Sequence, residues 1–420
     1  MEMNDNKKYL DKKKNKHTKY HFGYYYSVYG LAIQLFKGKY KPVIDKKAFE
    51  EMDKPCLIFA NHGSVFDFIL AGSVIMPKKA VLVTTKRTMF NKGSNWVVNK
   101  SPHILRDQFT ADVKSIMEMR DALKQGYNIV LYPEGKVSTC GVTNRIPKAT
   151  SKLVKMFKVP VVTIVSSGNW LIKPSWASHL RVGPVEVKSK LILTEEDINK
   201  LKAEEIQQII EKELAHNENE YQIDNDYEFY NIKKRFGFAE GLEKILYKCP
   251  ICGKEFTMDT KDDDIFCKDC GFKATYHHNG LLTSENEAFK FNRIDKWFDY
   301  ERGSLYKELQ QDDFMLSCVV EGMIENEKSN RYDSLGNGTL TLDKSEIKFT
   351  GENGLNLIYK IDKVEAIPFV VGVKICLLID SVNYEFIFRD KLMSTKYDMA
   401  VELLSGERDA KKKERSSKWR

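Results

Sequence analysis

His62 and Asp67 stand five positions apart in Asn61-His62-Gly63-Ser64-Val65-Phe66-Asp67, directly after the apolar run Leu57-Ile58-Phe59-Ala60. An imidazole held by a carboxylate is a general base: the carboxylate fixes the tautomer and stabilises the charge that arises when the ring takes a proton from a hydroxyl. Five residues along a regular helix turn through about 500°, so these side chains meet only if His62 precedes the helix. A strand-to-helix turn satisfies that condition, and in open α/β sheets ligands bind at the carboxyl ends of strands. A second reading stays open, because Ser64-x-x-Asp67 is also a capping box, which makes Asp67 a helix-start residue and His62 an ordinary loop residue.

Three further blocks follow in order. Ile104-Leu105-Arg106 offers a guanidinium suited to a phosphate, since its planar fork donates twice. Leu131-Tyr132-Pro133-Glu134-Gly135-Lys136-Val137-Ser138 again comes straight after a strand-like run, Ile129-Val130-Leu131, and Val159-Pro160-Val161-Val162 closes the set. Alone, Arg106 reads equally as half of a surface ion pair and Glu134 as a turn residue beside Pro133. As an ordered set, the four blocks resemble those of the glycerolipid acyltransferase family, which includes the lysophosphatidic acid acyltransferases, over roughly residues 54–217. The resemblance implies transfer of a fatty acyl group from acyl-CoA or acyl-carrier protein to a hydroxyl of a lysophospholipid. It implies that His62 deprotonates the acceptor with Asp67 orienting the ring, that Arg106 contacts the acceptor phosphate, and that Glu134 and Gly135 shape the acceptor site. Val159 and Pro160 match the apolar block that supports the site. Family members commonly carry Thr-Arg-Ser after Glu-Gly. Here Lys136-Val137-Ser138 stands in its place, and Lys136 substitutes as a point charge without the bidentate geometry.

Two Cys-x-x-Cys pairs, Cys249/Cys252 and Cys267/Cys270, are separated by residues 253–266, and a glycine follows each pair. Four thiolates at this spacing suit structural, tetrahedral Zn2+ in a zinc ribbon, with iron as the chemical runner-up. His277 and His278 are read as solvent-facing or as spare ligands. The remaining cysteines, Cys56, Cys140, Cys318 and Cys376, read as free thiols of a reducing compartment.

These groups need elements to carry them. Apolar runs at 56–60, 80–84, 129–132, 159–165 and 180–187 read as strands, and 111–125 as a helix stopped by Gly126; this alternation predicts an α/β acyltransferase domain with a mixed sheet flanked by helices. Thr194 and Asp197 form a capping box opening a charged helical stretch to about residue 217. From about 314 to 388 the pattern turns to strands, with turns at Asn337-Gly338 and Gly351-Glu352-Asn353-Gly354, and a helix over 394–404 caps a small β-rich module with weak PH-like or GRAM-like resemblance.

The expected organisation is a basic arm and aromatic segment (1–45), the acyltransferase domain (46–230), the zinc ribbon (245–280), the β-rich module (310–406) and a disordered basic tail (407–420). With 420 residues, 42% hydrophobic and 30% charged, the chain has material for several packed cores. Its net charge of +8 favours anionic partners without choosing among them. The first twenty residues are polar and Lys-rich, so no secretory signal is expected, and the apolar run 22–36, interrupted by Gln34, is shorter than the roughly 20 residues of a spanning helix, so no transmembrane helix is expected. The Lys-rich arm beside Tyr24, Tyr25, Tyr26 and Tyr29 suits an element in the headgroup layer of a membrane surface, or equally a first helix packed on the core. The expected location is cytoplasmic, peripheral to a membrane. The other function class is a non-catalytic basic protein that binds lipid headgroups or nucleic acid. The acidic loop with Asp259, Asp262, Asp263 and Asp264 argues against nucleic acid.

Overall fold

The computed structural model describes residues 22–23, 25–90, 101–109, 112–233, 235–326, 328–329, 331–362 and 364–417. The basic arm and Tyr24 lie outside them. Helix α1 (Gly30–Tyr40) and strand β1 (Val43–Ile44) precede β2 (Leu57–Ala60), α2 (Asp67–Ile75), β3 (Ala80–Thr85), β4 (His103–Arg106), α3 (Val113–Lys124) and β5 (Asn128–Leu131). Then come α4 (Ala149–Phe157), β6 (Val161–Ser167), β7 (Arg181–Val182), β8 (Glu186–Leu193), α5 (Glu195–Lys200), α6 (Ala203–Leu214) and α7 (Glu218–Asp224).

Seven of these strands form one sheet in the order β1-β8-β6-β2-β5-β3-β4. Every neighbouring pair is parallel except β6 with β8. Because strand side chains alternate, β2 sends Ile58 and Ala60 into a core with Ile33 and Phe36 of α1 and Leu70 and Val74 of α2. Leu57 and Phe59 go to the opposite face, with Met119 of α3, Leu153 of α4, Ile198 of α5 and Ile206 and Ile210 of α6. The sheet is therefore covered on both faces, which puts any site at its edge. The Thr194 capping box forms as expected and opens α5.

The expected strand over 180–187 is in fact two elements. β7 leaves the main sheet to pair with β9 (Tyr230–Asn231), and β8 starts only after Gly183-Pro184. Pro184 lacks the N–H a continuous ladder needs. β7 brings in Arg181, wholly buried, whose guanidinium lies 3.8 Å from the Phe238 ring and 4.8 Å from Trp176. Its Nη2 donates to the Phe238 carbonyl at 2.6 Å, fastening the chain that leads to the cysteine pairs.

A four-stranded antiparallel sheet, β10 (Met258–Lys261), β11 (Asp264–Cys267), β12 (Lys273–Tyr276) and β13 (Leu282–Thr283), carries that region. Helix α8 (Ile294–Leu309) follows, then β14 (Leu316–Asn326), β15 (Arg331–Leu342), β16 (Glu346–Gly351), β17 (Asn356–Lys360), β18 (Phe369–Val370), β19 (Lys374–Ile379), β20 (Val382–Phe388) and α9 (Met393–Ser417). The last seven strands form an antiparallel sheet ordered β17-β16-β15-β14-β20-β19-β18. α9 closes it, with Tyr397 stacked edge-on to Phe388 and donating to the Leu340 carbonyl at 2.7 Å. The helix runs on through 411–415, where disorder was expected; the Ala-Lys-Lys-Lys-Glu-Arg stretch there is built of good helix formers.

Gly351–Gly354 turns as expected, whereas Asn337-Gly338 lies inside β15. The glycine serves packing there: a Cβ on Gly338 would meet the Thr350 carbonyl oxygen at 2.5 Å and the buried Phe349 ring at 2.6 Å. We expect Gly338→Ala to cost roughly 1–3 kcal/mol by overpacking, read as a lower urea midpoint. An unchanged midpoint contradicts this packing.

Candidate active site

Asn61 follows β2 and ties it to β6: its Nδ2 donates to the Ser166 carbonyl and its Oδ1 accepts from the Ser166 N–H, both at 2.9 Å. The chain then turns, and α2 begins at Asp67. This is the strand-to-helix turn the spacing requires, and His62 Nδ1 and Asp67 Oδ2 are 2.5 Å apart. Asp67 is 4% exposed. Its carboxylate also accepts the Ser64 N–H at 3.2 Å and a bond from Asn169 Nδ2. The Asn169 Oδ1 in turn accepts from the Ser64 hydroxyl at 2.8 Å. One half of the capping box is therefore present, but Ser64 Oγ serves the Phe66 N–H and Asn169, so Asp67 holds loop and imidazole together. Buried Glu218 fixes the Asn169 turn by accepting the Gly168 N–H at 2.6 Å.

Glu134 follows β5, the strand beside β2, and is 2% exposed. One carboxylate oxygen accepts the backbone N–H of His62 at 2.7 Å, and the other accepts the Asn144 N–H at 2.7 Å and Asn144 Nδ2 at 3.0 Å. Ser138 N–H donates to the His62 carbonyl at 2.8 Å. Both backbone groups of the histidine are thus held by the loop after β5. Gly135 has φ +74, and a Cβ there would lie 2.8 Å from the Phe109 ring, so only glycine fits. The Tyr132 ring lies 4.7 Å from the imidazole, whose side chain is 24% exposed.

Burial pulls the His62 pKa down, but the Asp67 hydrogen bond and the charges of Asp67 and Glu134 outweigh it and leave the ring above its ordinary 6.5. Burial lifts Asp67 above the usual carboxylate range against the pull of His62. It also pushes Glu134 up to about 7 against the bonds from Asn144 and His62.

His62, Asp67, Glu134 and Gly135 therefore converge. Arg106 ends β4 at the same sheet edge but is separated from β2 by β5 and β3. Its Nε is buried with no partner among the described residues, and burial lowers its pKa. The expectation for Lys136 is corrected. Its ammonium is buried between Asp398, at 2.6 and 2.8 Å, and Glu402, at 2.6 Å, both on α9. A cation so placed is already matched and is not a free point charge for a phosphate. A cavity of about 650 Å³ lies between this loop, α8 and α9, lined by residues that include Glu134, Lys136, Arg145 and Arg302. Asn144 and Asn169 carry no motif that marks them in the sequence; Asn61 stands in the first block but its clamp to Ser166 emerges only from the fold.

Cys249, Cys252, Cys267 and Cys270 bring their sulfurs within 4.8 Å of one another. Cys249–Cys270 is 3.7 Å and Cys252–Cys267 is 3.9 Å. Zinc–thiolate bonds of about 2.3 Å at tetrahedral angles require edges of about 3.8 Å, so the donor set fits zinc. Gly253 and Gly271, after each pair, have positive φ. Neither neighbouring histidine joins the cluster. His277 Nε2 meets the Thr283 hydroxyl at 2.7 Å, and His278 packs on Tyr230 and Phe238.

The His62 ring titration, followed by NMR, should have its midpoint above 6.5. In Asp67→Asn the burial penalty remains while the opposing carboxylate is gone, so the midpoint should fall below the wild-type value; an unmoved midpoint contradicts the pairing.

Residues 41–167 match the family model described as Acyltransferase. A 1-acyl-sn-glycerol-3-phosphate acyltransferase of Cocos nucifera is 26% identical over 135 residues, which is 31% of this chain; the chain spans 44% of that relative's length. The crystal structure of the LPA acyltransferase PlsC from Thermotoga maritima aligns at 18% identity over 44% of this chain and 78% of that one, with a TM-score of 0.37. A Ran-binding domain of Nup2 from Ashbya gossypii aligns at 16% identity over 22% of this chain and 94% of that one, with a TM-score of 0.20. The paired His62 and Asp67 lie within the segment that matches the acyltransferase family model.

Proposed function

We propose that this protein transfers a fatty acyl group from a CoA or carrier-protein thioester to the hydroxyl of a lysophospholipid, lysophosphatidic acid among the acceptors. The observation that carries the reading is the 2.5 Å contact between His62 Nδ1 and Asp67 Oδ2 at the carboxyl end of β2, inside the segment that matches the acyltransferase family. With Nδ1 engaged, Nε2 takes the proton from the acceptor hydroxyl as its oxygen attacks the thioester carbonyl. The carbon–sulfur bond then breaks, and the imidazolium returns that proton to the departing sulfur, which leaves as the thiol and restores the neutral ring. Asp67 stabilises that imidazolium, and no acyl group resides on the enzyme. Arg106 receives the acceptor phosphate, a role that suits its unpartnered Nε, and Glu134 and Gly135 shape the acceptor side. The named substrate of the Cocos relative supports a phosphorylated glycerolipid acceptor.

We further propose peripheral attachment to the cytoplasmic face of a membrane. α1 buries Ile33, Phe36 and Tyr40 while exposing Leu31 and Leu35 at 60% and 68%. Phe66, beside exposed Val65, packs against Phe36 and Tyr40. Lys37, Lys39 and Lys41 add charge suited to anionic headgroups. Among the described residues, no helix is long and apolar enough to cross a membrane.

His62→Ala should lower acceptor-dependent thiol release from acyl-CoA by about a hundredfold to ten-thousandfold with an unchanged circular dichroism spectrum; retained turnover rejects the role. For the cysteine cluster we propose structural zinc. Elemental analysis should give one zinc per chain, and Cys267→Ser should lose it together with thermal stability. Full-length protein that holds no metal and melts unchanged in chelator contradicts the site.

A further inference from the structure

We propose that Asp398 and Glu402 of α9 are positioning residues for the His62 site and act on it through Lys136. The proposal rests on the acyl-transfer reading above and extends it to residues 262 and more positions away from the loop they hold. The path is continuous. The two carboxylates grip the Lys136 ammonium at 2.6 Å each, and the Phe369 ring covers the ammonium with its centroid 5.0 Å away. The Lys136 carbonyl accepts Asn144 Nδ2 at 3.2 Å; that same amide, with its own backbone N–H, holds one oxygen of Glu134. The other oxygen of Glu134 holds the His62 N–H. Lys136 is 6% exposed and Asp398 4%. Glu402, its side chain 16% exposed and also bonded to Arg302 at 3.3 Å, completes the clamp, and displacing the turn 134–136 strands the Lys136 ammonium away from water. The loop that sets the His62 backbone is thus held from the β-rich module.

An ion pair that merely docks α9 would have no such reach, and the same helix supplies one for comparison. Lys396 bonds Glu255 at 2.5 Å and Glu308 at 2.7 Å. Both carboxylates also keep Lys248, at 3.2 and 3.4 Å. Lys396→Met therefore weakens docking without touching Lys136 or leaving a carboxylate alone.

The experiment compares full-length D398N/E402Q with K396M and wild type. It reads thiol release from a long-chain acyl-CoA with lysophosphatidic acid in mixed micelles, the His62 ring titration by NMR, and thermal melting. In D398N/E402Q we expect kcat to fall about tenfold or more with acceptor KM within about twofold, and the His62 midpoint to fall as Glu134 moves away. In K396M we expect a lower melting temperature with kcat and His62 midpoint unchanged. If D398N/E402Q does not fold, K136M/D398N/E402Q, which strands no buried charge, takes its place with the same expectations. A folded clamp variant with wild-type kcat, or equal losses of kcat in K396M, overturns the proposal. If wild-type protein transfers no acyl group to any lysophospholipid, the functional reading fails instead; the His62 titration then decides the clamp, and an unmoved midpoint overturns it.

Discussion

A carboxylate taken out of water must be met by donors or it will protonate, and the edge of the main sheet is organised around two of them. Asp67 and Glu134 are 4% and 2% exposed and hold one histidine, by its ring and by its backbone N–H. Removing such a group from water costs several kcal/mol unless hydrogen bonds replace the lost hydration. Asp67 finds its donors in the ring of His62, the Ser64 N–H and the amide of Asn169. Glu134 finds them in the His62 and Asn144 backbones and the Asn144 side chain. The histidine is the group common to both sets, held by its ring on one side and its backbone on the other.

The fold makes this arrangement affordable. Asp67 opens α2, where the positive end of the helix dipole favours a negative charge. α2 is buried along nearly its whole length between α1 and the sheet. The neighbouring strands β5 and β6 end at the same edge, so their loops deliver Glu134 and Asn169 without long connections. A continuous buried core runs from Ile33 through the cysteine-bearing sheet to Leu404, so the β-rich module is packed onto the domain that carries the site.

The legible parts of the site were those encoded locally. His62 and Asp67 are close in sequence and follow an apolar run, so strand, turn and helix could be read with their pairing. Glu134 was marked by its place after a second strand and by Gly135. Asn144 and Asn169 could not be read, because single amides become partners only when β5 and β6 come to lie beside β2. The pairing of Lys136 leaves no local mark for the same reason: the acids that neutralise it lie some 262 positions on in α9. Asn337-Gly338 carried the composition of a turn, but a glycine that makes room for Phe349 looks identical in sequence to one that turns a chain. At 180–187 the apolar run hid a change of sheet that Gly183-Pro184 marks. Of the domain limits, the main sheet already starts at Val43, since β1 pairs with β8.

The acyl-transfer reading requires a neutral His62 ring to accept the acceptor's proton as the thioester is attacked. Its most direct measurement is the single-turnover rate of acyl transfer, at saturating acceptor, between about pH 5 and 8. Because Asp67 and Glu134 hold the ring protonated beyond its ordinary 6.5, the rate should climb with pH, pass its midpoint above that value and then level off. A rate that is flat or falls across that interval contradicts the account.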